Sequence, residues 1–229
     1  MFIVNEKPMS LSSEAYGKLR TSVEYSFVDK ALKTIVVTSV NSGEGKTTVS
    51  GNLAYALATN EKKVLILDCD LRKPTMHKRH NISNDIGLTD YLVGKAKITD
   101  VIKKIEKDVH IITAGTRTPN PAELIRSNTL EELLKNLSED YDHIVIDTPP
   151  VGNMDDGRIL AAKCDGTVIV VKSGATKGKD VTRVLNDLES VQATVLGTVL
   201  NGISHKKSKY YYYYSNDEDD NKKNRKRRK

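Results

Sequence analysis

The sequence has no tryptophan, two phenylalanines and two cysteines among its 229 residues. Two cysteines, Cys69 and Cys164, offer no disulfide framework, which is typical of a protein in a reducing compartment. No apolar run approaches the roughly 20 residues that a membrane-spanning helix needs, and the first residues do not resemble a secretory signal. We therefore expect one soluble globular domain with flexible ends.

The excess of positive charge lies in the C-terminal segment. Residues 205–229 contain ten Lys or Arg and four Asp or Glu, which accounts for the whole formal net charge of +6. The rest of the chain is neutral overall, so we expect no specific nucleic-acid partner. The basic run of residues 222–229 is most simply a solvated tail, with anionic lipid, nucleic acid or the chain's own phosphotyrosines as alternative partners.

Short β-branched apolar runs alternate with helical patterns along the chain. We predict strands over residues 34–40, 64–67, 109–113, 143–146, 167–171 and 194–200, and helices over residues 12–28, 47–58, 122–137 and 178–190. Apolar runs without polar alternation are typical of strands covered on both faces. Their alternation with helices predicts an α/β fold with a mostly parallel sheet, in which ligands bind beyond the carboxyl ends of the strands.

The loop after the first predicted strand has the features of a phosphate-binding loop. It consists of Ser42, Gly43, Glu44, Gly45, Lys46, Thr47 and Thr48. The glycines allow backbone N–H groups to surround phosphate oxygens, Lys46 reaches the β and γ phosphates, and the Thr47 hydroxyl can hold Mg²⁺. Val40 stands where the full pattern has its first glycine. The pattern predicts ATP and Mg²⁺ as cofactors, with a glycine-rich turn that binds nothing as the alternative.

Carboxylates follow two further predicted strands. Asp68 and Asp70 end the second strand, where one can face the metal and the other a hydroxyl that must lose its proton. Asp147 ends the strand of residues 143–146 and is predicted to orient Mg²⁺ or its water. The alternative for each is an ordinary polar residue at the end of a strand.

Two other groups are predicted to have no chemical role. Cys69 lies between two acids that disfavour its thiolate, so we interpret it as a packing residue. His77 and His80 are three residues apart, but no further Cys or His cluster accompanies them, which argues against a zinc site.

Four features together resemble the bacterial tyrosine kinases (BY-kinases) of capsule and exopolysaccharide synthesis. They are the Gly43–Thr47 loop, the Asp68-x-Asp70-x-Arg72 segment, the Asp147-Thr148-Pro149-Pro150 segment and a terminal tyrosine cluster. The likeness is to the cytoplasmic, separately encoded form found in Firmicutes. The resemblance implies a three-layer P-loop NTPase fold related to the MinD/ParA-like ATPases. It also implies that Lys46, Asp68, Asp70 and Asp147 are catalytic, that Thr47, Asp70 and Asp147 hold the metal, and that Asp68 activates the tyrosine hydroxyl.

The resemblance further implies partners and a domain organisation. A transmembrane adaptor of the polysaccharide co-polymerase type would activate the chain and recruit it from the cytoplasm to the inner face of the membrane. Residues 1–33 would form a helical oligomerisation segment, residues 34–204 the kinase domain and residues 205–229 a disordered tail. Glu14 and Arg20 match the motif that builds the family's ring octamer, whereas Gly17 replaces its middle arginine. Asn201 lies where related ATPases contact the adenine edge, although it could merely end the last strand.

Five consecutive tyrosines are the predicted substrate: Tyr210, Tyr211, Tyr212, Tyr213 and Tyr214. An aromatic docking patch for a partner is the alternative. The eleven residues from Asn201 to Tyr212 span at most ~36 to 40 Å, whereas a domain of ~200 residues has a radius of gyration of about 16 Å. The tail would need a nearly taut path to its own site, so we predict transfer between subunits, with other proteins as additional substrates.

Two other functions share the P-loop. Positioning ATPases of the chromosome or septum type carry a lysine at the start of the loop that reaches the partner's nucleotide, whereas this chain has Asn41 and Ser42 there. A non-catalytic scaffold of the polysaccharide machinery would bind ATP without forming phosphotyrosine. The kinase is the interpretation that also accounts for the tyrosine cluster.

Overall fold

A computed structural model describes residues 2–26, 32–58, 61–152 and 154–203. Its strands are β1 (Thr34–Ser39), β2 (Val64–Asp68), β3 (Ile102–Lys104), β4 (Val109–Ile112), β5 (His143–Asp147), β6 (Gly166–Lys172) and β7 (Val195–Asn201). Its helices are α1 (Ile3–Glu6), α2 (Leu11–Glu24), α3 (Lys46–Leu57), α4 (Met76–His80), α5 (Leu88–Leu92), α6 (Ile98–Val101), α7 (Pro121–Arg126), α8 (Asn128–Asp140), α9 (Asp155–Lys163) and α10 (Gly178–Glu189).

The strands of this described part form one seven-stranded sheet in the order β3-β4-β2-β5-β1-β6-β7. Every neighbouring pair is parallel except β3 with β4. The order places the carboxyl ends of β2, β5 and β1 side by side at one edge. The predicted α/β class with a mostly parallel sheet is therefore confirmed, and the three loops with candidate chemistry leave adjacent strands.

Helices cover both faces of the sheet, so successive residues of its central strands enter the cores on opposite faces. In β2, Leu65 and Leu67 pack with α8 and α9, whereas Val64 and Ile66 pack with α3. This three-layer arrangement explains why the strand sequences are apolar without alternation.

The single helix predicted over residues 122–137 is wrong, since the structure has two helices, α7 and α8. Ser127 separates them in an extended conformation with φ −60° and ψ 147°. Its Oγ accepts a hydrogen bond from the Leu130 N–H at 3.2 Å, which is the interaction of an N-cap residue. Continuous apolar periodicity on both sides of the serine hid this break.

The N-terminal helix α2 packs against α3 beside the sheet. Tyr16, Leu19 and Val23, three of the apolar positions predicted to share a face, join the core on the α3 side, and Val23 is buried. Phe2 also packs there and contacts the ring of His80 at a centroid distance of 4.6 Å. The N-terminal segment is thus attached directly to the helix that follows the phosphate-binding loop.

Candidate active site

The loop between β1 and α3 needs glycine at two positions. Gly43 and Gly45 have φ values of 78° and 102°, in the left-handed region that side chains disfavour. A Cβ atom on Gly45 would collide with the side-chain amide of Asn201. The loop therefore approaches the end of β7 more closely than any other residue type would allow.

The first turn of α3 connects the loop to the end of β5. Lys46 is 8% exposed, and its charge lies close enough to Asp147 to lower the pKa of that carboxyl group. The Thr47 hydroxyl donates to Oδ2 of Asp147 at 2.7 Å, and the Ser50 hydroxyl donates to Oδ1 at 3.0 Å. Both oxygens of Asp147 are thereby oriented by α3.

Asp68 and Asp147 lie side by side at the edge of the sheet. They are register partners on β2 and β5, and the side chain of Asp68 is fully buried. Burial, together with the charges of Asp147 and Asp70, raises the pKa of Asp68 well above its ordinary value. Burial likewise raises the pKa of Asp147 to about 6, although the hydrogen bond from Thr47 opposes the shift.

Asp70 occupies a more open position than Asp68. It is half-buried, and its carboxylate accepts a hydrogen bond from the Lys73 N–H at 3.0 Å. Its own N–H donates to Oδ1 of Asp68 at 3.1 Å. The Thr75 hydroxyl lies 3.0 Å from Oγ1 of Thr47, so the loop after β2 reaches the phosphate-binding loop.

The residues at this edge fit a magnesium ion that is held together with a nucleotide. Within the described ranges, no group of three or more His, Cys, Asp or Glu side chains could hold a metal alone. Mg²⁺ usually takes one or two protein oxygens and completes its coordination with phosphate and water. The linked oxygens of Thr47 and Asp147, with Asp70 nearby, match that donor set.

Glu44 contributes to the loop in a way that the sequence did not predict. Its buried carboxylate accepts hydrogen bonds from the Asn41 N–H at 2.9 Å, from Nδ2 of Asn41 at 3.0 Å and from the Thr176 hydroxyl at 2.6 Å. The side chain therefore holds the loop from within, by joining Asn41 to Thr176.

Asn201 lies at the end of β7 against the same loop. Its Nδ2 donates to the carbonyl oxygen of Glu44 at 2.9 Å, and its Oδ1 accepts from the Gly202 N–H at 2.9 Å. This places Asn201 at the phosphate-binding loop, while its assignment to the adenine edge stays a prediction. Ser42 is exposed on the loop and Thr48 lies in the first turn of α3.

The structure thus brings together the predicted site residues of the described ranges, while the tyrosine cluster of residues 210–214 lies outside those ranges. The sequence missed Ser50, whose position four residues after Lys46 on a helix could have predicted that both face the same strand. It also missed Asp156, which pairs with Arg72 at 2.7 Å. No spacing rule predicts that contact, because it depends on how α9 packs against the segment after β2.

Cys69 and the two histidines of α4 are the groups for which the sequence predicts no chemical role. Cys69 is fully buried, and burial raises the pKa of its thiol well above the ordinary value. His77 and His80 lie on α4 without the additional ligands that a zinc site requires among the described residues.

Comparison with known proteins shows the family to which the chain is similar. A family model described as an AAA domain matches residues 32–200. The tyrosine-protein kinase YwqD of Bacillus subtilis (strain 168) is 38% identical over 201 residues, covering 87% of this chain and 85% of YwqD. The chain belongs to the bacterial tyrosine-protein kinase family.

Solved structures of this kinase family share the fold. The kinase domain of Escherichia coli tyrosine kinase ETK matches with a TM-score of 0.87 and 31% identity, over 93% of this chain and 84% of that chain. The chain covers only 29% of the tyrosine-protein kinase etk of Escherichia coli (strain K12). This kinase chain therefore corresponds to one part of the longer relative.

The predicted relation to MinD-like ATPases is also confirmed at the level of the fold. The cell division ATPase MinD of Pyrococcus furiosus matches with a TM-score of 0.64 and 28% identity, over 76% of this chain and 74% of that chain.

Among the described residues of the kinase chain, no helix is long and apolar enough to cross a membrane.

Proposed function

We propose that this chain is an ATP-dependent protein-tyrosine kinase. It transfers the γ-phosphate of ATP to Tyr210–Tyr214 of another copy and to other proteins, and so regulates capsular or exopolysaccharide synthesis. The observation that carries the proposal is the convergence of Lys46, Thr47 and three aspartates at one edge of the sheet. Family membership supports the same reaction.

The loop residues supply the electrostatic part of the reaction. Backbone N–H groups of residues 42–47 surround the phosphates, and Lys46 neutralises charge that develops on the transferred group. Thr47, Asp147 and Asp70 would hold Mg²⁺, which would neutralise negative charge on the phosphates. Because Thr47 and Asp147 are already hydrogen-bonded at 2.7 Å, little reorganisation is needed.

The proton of the tyrosine is assigned to Asp68. The phenol oxygen forms a bond to the γ-phosphorus, the bond from that phosphorus to the β–γ bridging oxygen breaks, and ADP leaves. The phenol proton passes to the Asp68 carboxylate. A raised pKa makes this carboxylate a stronger base than an ordinary aspartate, and the N–H groups of Asp70 and Met76 keep it oriented.

A positioning ATPase is the second candidate, because MinD shares the fold. Such ATPases need a lysine from the start of the loop of one subunit at the nucleotide of the other. Here Asn41 occupies that region, and its side chain is turned inward to Glu44 at 3.0 Å. This arrangement favours the kinase over a switch that depends on a lysine from the partner subunit.

The partners are part of the proposal. A transmembrane adaptor of the co-polymerase type activates the chain and holds it at the inner face of the membrane, and copies of the chain assemble through α2. Glu14 is exposed on that helix, and a Cβ atom added to Gly17 would meet no atom within 4 Å, so the face is open for a neighbour. Phosphorylated tails, with about −1.5 to −2 charges per phosphate, would repel one another and loosen the assembly.

The decisive experiment is incubation with Mg-ATP followed by phosphotyrosine detection and mass spectrometry of the tail peptide. It is done with and without the cytoplasmic end of a co-encoded membrane protein. Phosphate on residues 210–214 that disappears in Asp68→Ala supports both the kinase and its base. ATP hydrolysis with an unmodified tail, even with the partner present, contradicts the proposal and favours the positioning ATPase or the scaffold.

Light scattering before and after phosphorylation tests whether phosphorylated tails loosen the assembly of copies. An unchanged molecular mass after full phosphorylation contradicts that part of the proposal.

A further inference from the structure

The segment after β2, residues 69–76, crosses the carboxyl edge of the sheet from one face to the other. Leu71 packs in the core on the α8 side, and Met76 packs in the core on the α3 side. Between them, the N–H groups of Asp70 and Met76 donate to the carboxylate of Asp68 at 3.1 and 3.3 Å. The segment covers the proposed base and fixes its orientation.

Each side of this crossing segment has a polar anchor. On the α3 side, the Thr75 hydroxyl contacts the Thr47 hydroxyl at 3.0 Å. On the α9 side, Nε of Arg72 donates to Oδ2 of Asp156 at 2.7 Å, and Nη2 donates to Oδ1 at 3.3 Å. A bidentate contact of this kind fixes the orientation of the guanidinium group as well as its distance from the carboxylate.

Asp156 lies in a closely packed position at the start of α9. It is 1% exposed, and the next residue, Gly157, packs so closely that an added Cβ would lie 2.9 Å from the carbonyl oxygen of Pro149. Pro149 belongs to the loop that follows Asp147. The ion pair therefore connects the segment after β2, which contains Asp70, to the start of α9, which packs against the loop after β5.

We propose that Asp156 is a positioning residue for tyrosine phosphorylation. By holding Arg72, it keeps residues 70–76 at a fixed place relative to Asp147, and so sets the distances of Asp68 and Asp70 from the transferred phosphate. The inference rests on the proposed kinase function. Asp156 does not touch the reacting atoms, so its removal should change the rate of transfer and leave ATP binding to the P-loop intact.

The test compares two adjacent aspartates on α9 in the 229-residue chain, mixed with the cytoplasmic end of the co-encoded membrane protein. Asp156→Asn keeps the size of the side chain and removes the charge that holds Arg72. Asp155→Asn is the matched control, because Asp155 is 58% exposed and pairs with Arg158 at 2.7 Å. The single-turnover rate of phosphate transfer to the tail tyrosines and the dissociation constant of ATP are measured for each.

We expect Asp156→Asn to lower the transfer rate by about 10- to 100-fold, the size of effect that a misplacement of ~1 Å produces. The dissociation constant of ATP should stay within about twofold of wild type, since the contacts of Lys46 and Thr47 do not involve Asp156. Asp155→Asn should transfer phosphate at the wild-type rate.

Arg72→Lys supplies a second, independent variant. Lysine keeps the charge but lacks the planar fork that contacts both oxygens of Asp156, so the rate should fall in a similar way. In the Asp156→Asn background the same change should have little further effect, because the two residues act through one contact. Additive losses would contradict the coupling.

The outcomes separate this inference from the function on which it rests. A wild-type transfer rate in Asp156→Asn overturns the positioning role, as does a loss of ATP binding in parallel with the loss of transfer. If the wild-type chain itself forms no phosphotyrosine with the adaptor segment present, the proposed kinase function fails, and the positioning role fails with it.

Discussion

Asp68 and Asp147 are register partners on β2 and β5, and both carboxyl groups are buried at the same edge of the sheet. Two carboxylates in this position disfavour each other's charged form, in addition to the cost of removing each from water. Burial is the largest cause of the raised pKa of both groups. The charges of Asp147 and Asp70 add to the shift of Asp68, and the charge of Asp70 adds to the shift of Asp147. This arrangement of carboxyl groups thus lowers the stability of the folded chain at neutral pH.

The first prediction concerns Asp147→Asn and pH. The pKa of Asp147 rises from 3.8 to about 6 on folding, so the folded chain binds this proton more tightly than the unfolded chain does. The resulting stability is present below pH 3.8 and is lost as the pH rises through about 6. The shift corresponds to roughly 3 kcal/mol, so the unfolding free energy of the variant relative to wild type should rise by about 2 to 3 kcal/mol from pH 4 to 7.5. Urea unfolding without nucleotide measures it.

Asp155→Asn is the control for this pH dependence, because the side chain of Asp155 in the first turn of α9 is 58% exposed. Its unfolding free energy relative to wild type should change little over the same interval. If the difference in unfolding free energy between Asp147→Asn and wild type does not vary with pH, burial does not raise the pKa of Asp147.

The second prediction contrasts two glycines of the phosphate-binding loop. Gly43→Ala and Gly45→Ala each force a side chain into a positive φ, which costs about 1 kcal/mol or more of unfolding free energy. At Gly45 the new Cβ also displaces the amide of Asn201, whereas the space at Gly43 is open. We expect Gly45→Ala to weaken ATP binding more than Gly43→Ala, as measured by titration calorimetry.

Gly178→Ala is the matched control for the two loop variants. Gly178 begins α10 with no atoms within 4 Å of its added Cβ and without a positive φ. Its replacement by alanine should leave ATP binding unchanged and the unfolding free energy equal or slightly higher. Equal ATP affinity for both loop variants would contradict the contact between the loop and Asn201.

The sequence predicted the parallel sheet and most of the site because both depend on local patterns. Strand, glycine-rich turn, lysine and helix occur in a fixed order, and Asp68 and Asp147 each end an apolar run. The contacts that it could not predict join segments that are distant along the chain. Thr176 reaches Glu44 across 132 positions, and Asp156 reaches Arg72 across 84.

The predicted element boundaries were wrong where a side-chain hydrogen bond interrupts a continuous apolar pattern. Ser127 ends the first of two helices because its side chain caps the second, although the apolar residues on either side keep a helical spacing. The antiparallel strand β3 was missed because it has three residues and follows α6 directly. Such short elements are defined by their neighbours in space.

The third prediction concerns Lys46→Met. Lys46 lies in the first turn of α3 with 8% of its surface exposed, beside Asp147. Removing a preorganised charge donor of this kind should cost on the order of 3 to 4 kcal/mol of transition-state stabilisation, or about 100- to 1000-fold in rate. Phosphate transfer to the tail measures the effect, with Lys179→Met on the exposed surface of α10 as control. Ordinary transfer by Lys46→Met would overturn the site assignment.

The last prediction is that phosphate moves between subunits. A Lys46→Met chain with an intact tail is mixed with an active chain that lacks residues 205–229, so that neither can phosphorylate its own tyrosines. The structure corrects the premise of a taut path, because Asn201 lies at the chain's own phosphate-binding loop, with its Nδ2 2.9 Å from the Glu44 carbonyl oxygen. The eleven residues that follow span up to ~36 to 40 Å, so chain length does not separate the two routes and the mixing experiment does. Phosphotyrosine should form on the Lys46→Met chain in the mixture and in neither chain alone. If only an intact active chain is labelled, at a rate that does not depend on concentration, transfer occurs within one subunit.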